Sequence, residues 1–251
     1  GEPLVSVVIA SEDRARLALC LSGVAKLDWP NLEVLAVTDA ESLPSNVRRV
    51  ARDGRGLYAA LNAGVTAARG GYVLTLSDEV VIENKDFLRE LLMYAQRADV
   101  AAVTPLLLDG RRRILHAGYA VGDTRIAVCR QKGLPRTAGG WHGMEHTAHD
   151  VAACAAVCCL FRRERFVPMG EDWQGDAAGA DWSLRMRAQG GYIVFTPHAK
   201  AVAKQGAAVC VGSIDPADAA RFRKAWPDLQ DPCYSPLFDP RDGQFRLDHH
   251  P

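Results

Sequence analysis

The sequence has no net charge, no long apolar run and no internal repeat, and each absence removes a class of protein. Among its 251 residues, thirty Lys and Arg are matched by thirty Asp and Glu. No global field therefore draws the chain to a nucleic-acid backbone or an anionic membrane, and no nucleic-acid partner is expected. The longest apolar stretch, Val151 to Phe161, has eleven residues, whereas a membrane-spanning helix needs about 20. No signal-peptide pattern stands at the amino end. The seven cysteines are odd in number and irregularly spaced. Cys20, Cys154, Cys158, Cys159 and Cys210 sit in apolar runs, which predicts reduced, buried thiols, a cytoplasmic chain and no cysteine metal cluster. A dinucleotide fingerprint is also missing, because Gly54-Arg55-Gly56 supplies only two glycines and no strand of convincing length precedes them.

What is present is an alternation of short β-rich runs and helical periodicities over a length that suits one large domain. Leu4 to Ala10, Leu32 to Val37, Tyr72 to Leu76 and Val151 to Phe161 read as buried strands of a parallel sheet. Val50 to Asp53 reads as a short edge strand. Leu57 to Arg69 predicts an alanine-rich helix stopped by Gly70-Gly71, and Phe87 to Gln96 places Phe87, Leu88, Leu91, Leu92 and Ala95 on one helical face. Another strand follows over Val100 to Leu107. Asp109-Gly110 predicts a hairpin turn with Ile114 to Val121 returning as its partner. Residues 122–150 read as a long functional loop holding His142, His146 and His149, for which solvation is favoured over a zinc site. Two short strands, Tyr192 to Thr196 and Lys200 to Ala203, are expected on either side of Pro197, and Pro216 to Trp226 as the last helix.

The sharpest feature is Gly70 to Glu83, where a buried run leads directly into Asp78 and Glu79. Ligands of open α/β sheets bind at the carboxyl edge of the strands, where a carboxylate can hold a hard cation that bridges phosphate oxygens. Asp39 follows Leu32 to Val37 at the same expected edge.

Several stretches, in order, resemble the family 2 glycosyltransferases of bacterial O-antigen and polysaccharide assembly, which have the GT-A fold. They are Val5 to Arg14, Ala60 to Gly64 with Ala67 to Tyr72, Leu74 to Val80, Asp109-Gly110 with His116 to Gly118, Leu184 to Gly190, Thr196-Pro197, and Asp231 to Pro236. The resemblance covers nearly the whole chain. It implies one GT-A-like α/β domain over 1–251 with a mostly parallel central sheet flanked by helices, about 1–105 as the nucleotide-binding half and 106–251 as the acceptor half and tail. It further implies an inverting transfer of a sugar from a nucleotide-sugar donor to a glycan or lipid-linked acceptor hydroxyl, with a divalent cation (Mn or Mg) on the diphosphate. The expected location is the cytoplasm, up to the inner face of the membrane.

Position by position, the resemblance sets Ser11 and Asp13 against the nucleotide, Asp39 at the base or ribose, Asn62 and Arg69 along the sugar nucleotide, and Asp78 as metal ligand. Where the family carries its catalytic base, Ala178-Gly179-Ala180-Asp181 stands, with Gly179 at the base position. Asp176 or Asp181 is then the expected proton acceptor. The usual metal-binding histidine falls near Ala203 or Lys204, and Lys204 could offset diphosphate charge. A competing reading is a catalytically impaired domain that serves as a binding or scaffold module among other domains of a larger polysaccharide-assembly protein.

Overall fold

The computed structural model describes residues 1–53, 56–122, 126–203, 214–239, 241 and 243–247. The glycine pair Gly54-Gly56 is thereby only partly covered, and Lys204, Cys210 and the His249-His250-Pro251 end lie outside the described residues.

The chain is a single α/β domain around one sheet. β1 (Val5–Ala10) is buried throughout, and the β-branched residues that fill it suit a strand covered on both faces. It pairs in parallel with β2 (Leu32–Val37) on one side and β4 (Tyr72–Ser77) on the other, and β3 (Val47–Val50) extends the parallel set beyond β2. β3 lies a few residues before the edge strand expected over Val50 to Asp53. On the far side of β4 come β11 (Cys158–Arg162), β6 (Val100–Leu108) and β12 (Tyr192–Ala203), with β10 (His149–Val151) at the edge. β11 is antiparallel to both β4 and β6, β12 is parallel to β6, and β10 is antiparallel to β12. Hence β3, β2, β1, β4, β6 and β12 share one direction and the sheet is mostly parallel.

The strands depart from the sequence expectation at three places. Val151 to Phe161 is not one strand: it ends β10, crosses as irregular chain and re-enters the sheet as β11. The crossing is held by side chains from other elements, with the Thr75 hydroxyl donating to the Ala156 carbonyl (2.6 Å), Ala155 N–H to His116 Nε2 (3.1 Å) and Cys154 N–H to Ser183 Oγ (3.0 Å). Conversely, the two strands expected around Pro197 are one strand, β12. Its register against β6 skips from Thr196 to Lys200, and that irregularity accommodates the proline. A further short strand, β5 (Val80–Ile82), leaves the acidic turn and pairs with the end of β12. Ile114 to Val121 breaks into β7 (Ile114–His116), the expected hairpin partner of β6, and β8 (Tyr119–Ala120), which pairs with β9 (Val128–Cys129) from the predicted loop.

The helices cover the sheet. α1 (Arg14–Val24) is capped by Asp13 and α5 (Pro216–Ala225) by Asp215, the latter with proline at the first turn. α2 (Leu57–Ala67) packs on β1 so closely that a Cβ on Gly64 would stand 2.2 Å from Val8 Cγ1. α3 (Phe87–Ala95) buries the five residues its periodicity marks. α4 (Gly175–Arg187) carries Asp176 and Asp181. The tail folds onto β8: Asp231 accepts from Val121 N–H (2.9 Å), and Tyr234, Phe238 and Phe245 form a small aromatic core with Ala120.

Among the described residues five thiols are free, those of Cys20, Cys154, Cys158 and Cys159 buried and that of Cys233 half-buried. Cys129 departs from the expectation of reduced cysteines and is disulfide-bonded. Among the described residues no helix is long and apolar enough to cross a membrane.

Candidate functional site

Ala10 pairs with both Val37 and Ser77, so the residues that leave β1, β2 and β4 do so along one row at the carboxyl edge of the sheet. Ser11, Thr38 and Asp78 stand in that row, with Asp39 one residue further and exposed. Asp78 is buried at 5% exposure. The Ser11 hydroxyl lies 2.7 Å from Asp78 Oδ2 and accepts from Asp13 N–H at 3.2 Å, so the turn after β1 and the end of β4 are tied together. Asp13 points outward and caps α1, its Oδ1 accepting from Ala15 and Arg16 N–H, both at 2.8 Å; the Arg16 amide bond above all holds its carboxyl below the usual range.

The pocket at this edge is lined by Ser11, Glu12, Arg16, Arg52, Asp78 and Glu79, with Leu57 at its side. Glu79 joins Asp78 there as the adjacent carboxylate of the sequence reading, and Arg16 enters without a role in the sequence-based site. Arg16 leaves the first turn of α1, one turn past the cap, and spans both carboxylates: Nε is 3.4 Å from Asp78 Oδ2 and Nη1 3.3 Å from Glu79 Oε1. Arg52 pairs with Glu12. Beneath them Cys20 lies against the Ser77 carbonyl, and burial, then the Asp78 charge, pushes its thiol up to about 12. The sequence signal for Arg16 was the cap itself, since a residue three after the N-cap of a helix leaving β1 begins beside the neighbouring strand ends.

Other expected site residues are brought elsewhere. Asn62 is occupied in joining α2 to the approach to α4: Nδ2 donates to the Met169 carbonyl and Oδ1 accepts from Met169 N–H, both at 2.8 Å. Arg69 is at the opposite edge of the sheet, where its N–H donates to Glu33 Oε2 (2.9 Å). Glu33 pairs with Ser6 near the start of β1, five residues or ~16 Å of strand from the acidic row. The chain direction explains this: α2 runs back from the carboxyl edge, so its last residues return to the amino edge.

Asp181 is buried and fully engaged, accepting from Arg185 Nε (2.8 Å) and Trp226 Nε1 (3.1 Å), and it tethers α4 to α5. Asp176, at the first turn of α4, is buried and accepts from the Tyr119 hydroxyl at 2.7 Å. It is on the side of α2's start, because the Tyr58 hydroxyl donates to the Gly175 carbonyl and Leu57 lines the acidic pocket. Burial first, then the Asp176 charge, raises both tyrosine hydroxyls above their ordinary value. Gly179 is packed against the clamped crossing, where a Cβ would stand 2.8 Å from the Cys154 carbonyl oxygen. The place has no room for a side chain.

Among the described residues no three His, Cys, Asp or Glu side chains converge as a metal cluster, and the three loop histidines do not meet. Asp78 and Glu79 are a pair. They fit a cation of the kind that takes one or two carboxylates and fills its other positions with substrate phosphates and water.

An open α/β sheet of this order, with its carboxylates at the strand edge, is the GT-A architecture of nucleotide-sugar transferases. Three solved structures share it: GalNAc-T7 with UDP, GalNAc and Mn2+ (TM-score 0.66, 16% identity, 91% of this chain and 49% of that one), S. aureus TarS 1-349 with UDP-GlcNAc (0.59, 13%, 88% and 65%), and the mannosyltransferase PcManGT of Pyrobaculum calidifontis with GDP-Man and Mn2+ (0.56, 15%, 80% and 57%). The chain belongs to glycosyl transferase family 2, whose sequence pattern matches residues 6–166. It is similar to the O-antigen biosynthesis protein RfbC of Myxococcus xanthus, 27% identical over 258 residues, and to the uncharacterized protein y4gI of Sinorhizobium fredii, 30% identical over 266. Each alignment takes in 94% of this chain but only 20% and 29% of the relative, so the chain spans less than a third of their length.

Proposed function

We propose that this chain transfers a sugar, with inversion, from a nucleoside-diphosphate sugar to a hydroxyl of a glycan or lipid-linked acceptor. Residues to about 105 serve the nucleotide and residues 106–251 the acceptor, at the cytoplasmic face of the membrane. The observation that carries this reading is the buried Asp78 and its neighbour Glu79 beside Ser11, where β1 and β4 end in one row. Asp39, exposed past the end of β2, is suited to the base or ribose of the nucleotide. The first-turn amides of α1 are taken by Asp13, which fixes the loop that the nucleotide lies against. Asp78 and Glu79 would hold a divalent cation, and the chemistry it supplies when bound is neutralisation of the charge on a departing diphosphate. Asp176 is the carboxylate suited to take the acceptor proton, with Tyr119 holding its orientation. Asp181 is spent on Arg185 and Trp226.

Calorimetric titration of UDP, GDP and dTDP with Mn2+ tests the reading, and one of the three should bind. Asp78→Ala should weaken that binding at least about tenfold, as loss of one charged contact worth ~1.4 kcal/mol would. Binding that ignores the substitution would place the nucleotide elsewhere.

The packed Gly179 favours a second reading, a domain that binds donor without turnover and acts as a module of a larger polysaccharide-assembly protein. Donor binding with no transfer or hydrolysis over a panel of nucleotide sugars would support it.

A further inference from the structure

We infer that Arg16 is an exchangeable counter-ion of this site: it neutralises Asp78 and Glu79 in the free protein, yields them to a divalent cation, and then pairs with the diphosphate of the donor. The inference rests on the nucleotide-sugar reading above for its last step only.

The carboxylates are fixed and the guanidinium is not. The Asp78 and Glu79 side chains are 6% and 11% exposed, whereas that of Arg16 is 45% exposed. Its two contacts, at 3.4 and 3.3 Å, are ion pairs longer than the 2.7–2.9 Å or so of a well-made charged hydrogen bond. Such half-exposed pairs are weak, and the long side chain regains rotamer freedom when they open. A guanidinium and a metal ion draw on the same two carboxylates, and two cations held that close repel each other, so each weakens the other's hold.

Charge favours the exchange. Among the described residues the pocket wall holds Glu12, Asp78 and Glu79 against Arg16 and Arg52, a formal balance of minus one. A diphosphate brings at least two further negative charges, and like charges a few ångströms apart in a half-enclosed pocket repel strongly. While Arg16 is spent on the carboxylates, the site repels its own substrate. A divalent cation there turns the balance to plus one and frees the guanidinium, which still lines the pocket and suits phosphate oxygens. One side chain thus competes with the metal and cooperates with the nucleotide, so its removal must move the two affinities in opposite directions.

The experiment reads both in the full chain. Mn2+ alone is titrated, by calorimetry or by the electron paramagnetic resonance signal of the free ion, into wild type, Arg16→Ala and Lys26→Ala. UDP, GDP and dTDP are then titrated at saturating Mn2+. Lys26 is exposed and lines the neighbouring cavity with Arg16, so its variant removes the same charge without touching the carboxylates. Arg16→Ala is expected to tighten Mn2+ about fivefold or more and to weaken the nucleotide that binds by a similar factor, with Lys26→Ala close to wild type; a fivefold change corresponds to about 1 kcal/mol. Mn2+ affinity that stays level or falls in Arg16→Ala, or that rises equally in Lys26→Ala, overturns the exchange. Tighter Mn2+ with no nucleoside diphosphate bound by any form keeps the exchange and overturns the diphosphate step together with the nucleotide reading. A thermal midpoint for each variant separates these results from unfolding.

Discussion

Asp176 and Asp181 are five residues apart on α4, yet their partners differ: the Tyr119 hydroxyl for the first, Arg185 and Trp226 for the second. Asp181 gives both oxygens to α5 and to its own helix, so its loss should appear as instability. Asp181→Ala is expected to lower the unfolding free energy in urea by about 1–3 kcal/mol, the usual cost of stranding buried hydrogen-bond partners, while donor binding persists. Asp176→Asn should instead reduce turnover by a factor of about 10² to 10⁴, the worth of a positioned general base, with nucleotide affinity near that of wild type. Full turnover in Asp176→Asn would remove it from the role. Gly179→Asp, which on sequence grounds would restore a missing base, meets the Cys154 carbonyl at 2.8 Å from Cβ. It should cost about 2 kcal/mol or more by overpacking and give no gain in transfer; a stable variant with raised activity would show that the crossing can move aside.

At the scale of elements, the crossing from Cys154 to Ala156 is a hub. β4 reaches it through Thr75, β7 through His116 and α4 through Ser183. His116 is fully buried, and desolvation lowers its pKa from 6.5 to about 3, in keeping with a neutral ring whose Nε2 accepts from Ala155. His149, on β10, is lowered to about 4, mainly by burial and then by the Arg130 charge. In the unfolded chain both rings take up a proton below about 6.5. Between that pH and the folded values the unfolded state binds more protons, so stability is full above pH 6.5 and is lost as the pH falls toward 3–4. Each ring contributes a slope of up to about 1.4 kcal/mol per pH unit. Urea unfolding at pH 7 and pH 4.5 should display this loss. His116→Gln should be less stable at pH 7 but with a shallower slope, and an unchanged slope would exclude His116 as a source.

For the whole molecule, the sequence determined the materials and much of their order. Mostly apolar runs such as Val5 to Ala10 and Tyr72 to Ser77 cannot be left in water, and the strand period with intervening helices commits them to a covered, mainly parallel sheet. The same local logic put Asp78, Ser11 and Asp39 at one edge, because residues that leave parallel strands in register leave on the same side. α3 was legible from its five apolar positions alone. Tertiary structure decided what depends on partners distant in the chain. Val151 to Phe161 has the composition of one strand, but side chains from β4, β7 and α4 hold its middle out of the sheet, and no periodicity records that. Arg69 has the right neighbours in sequence and the wrong end of the sheet, since a helix antiparallel to its strands carries its last turn away from the ligand edge. Arg16 is the converse case. Its meeting with Asp78 and Glu79 spans more than sixty positions, and only the packing of α1 beside β4 and β5 brings one cation within reach of both carboxylates.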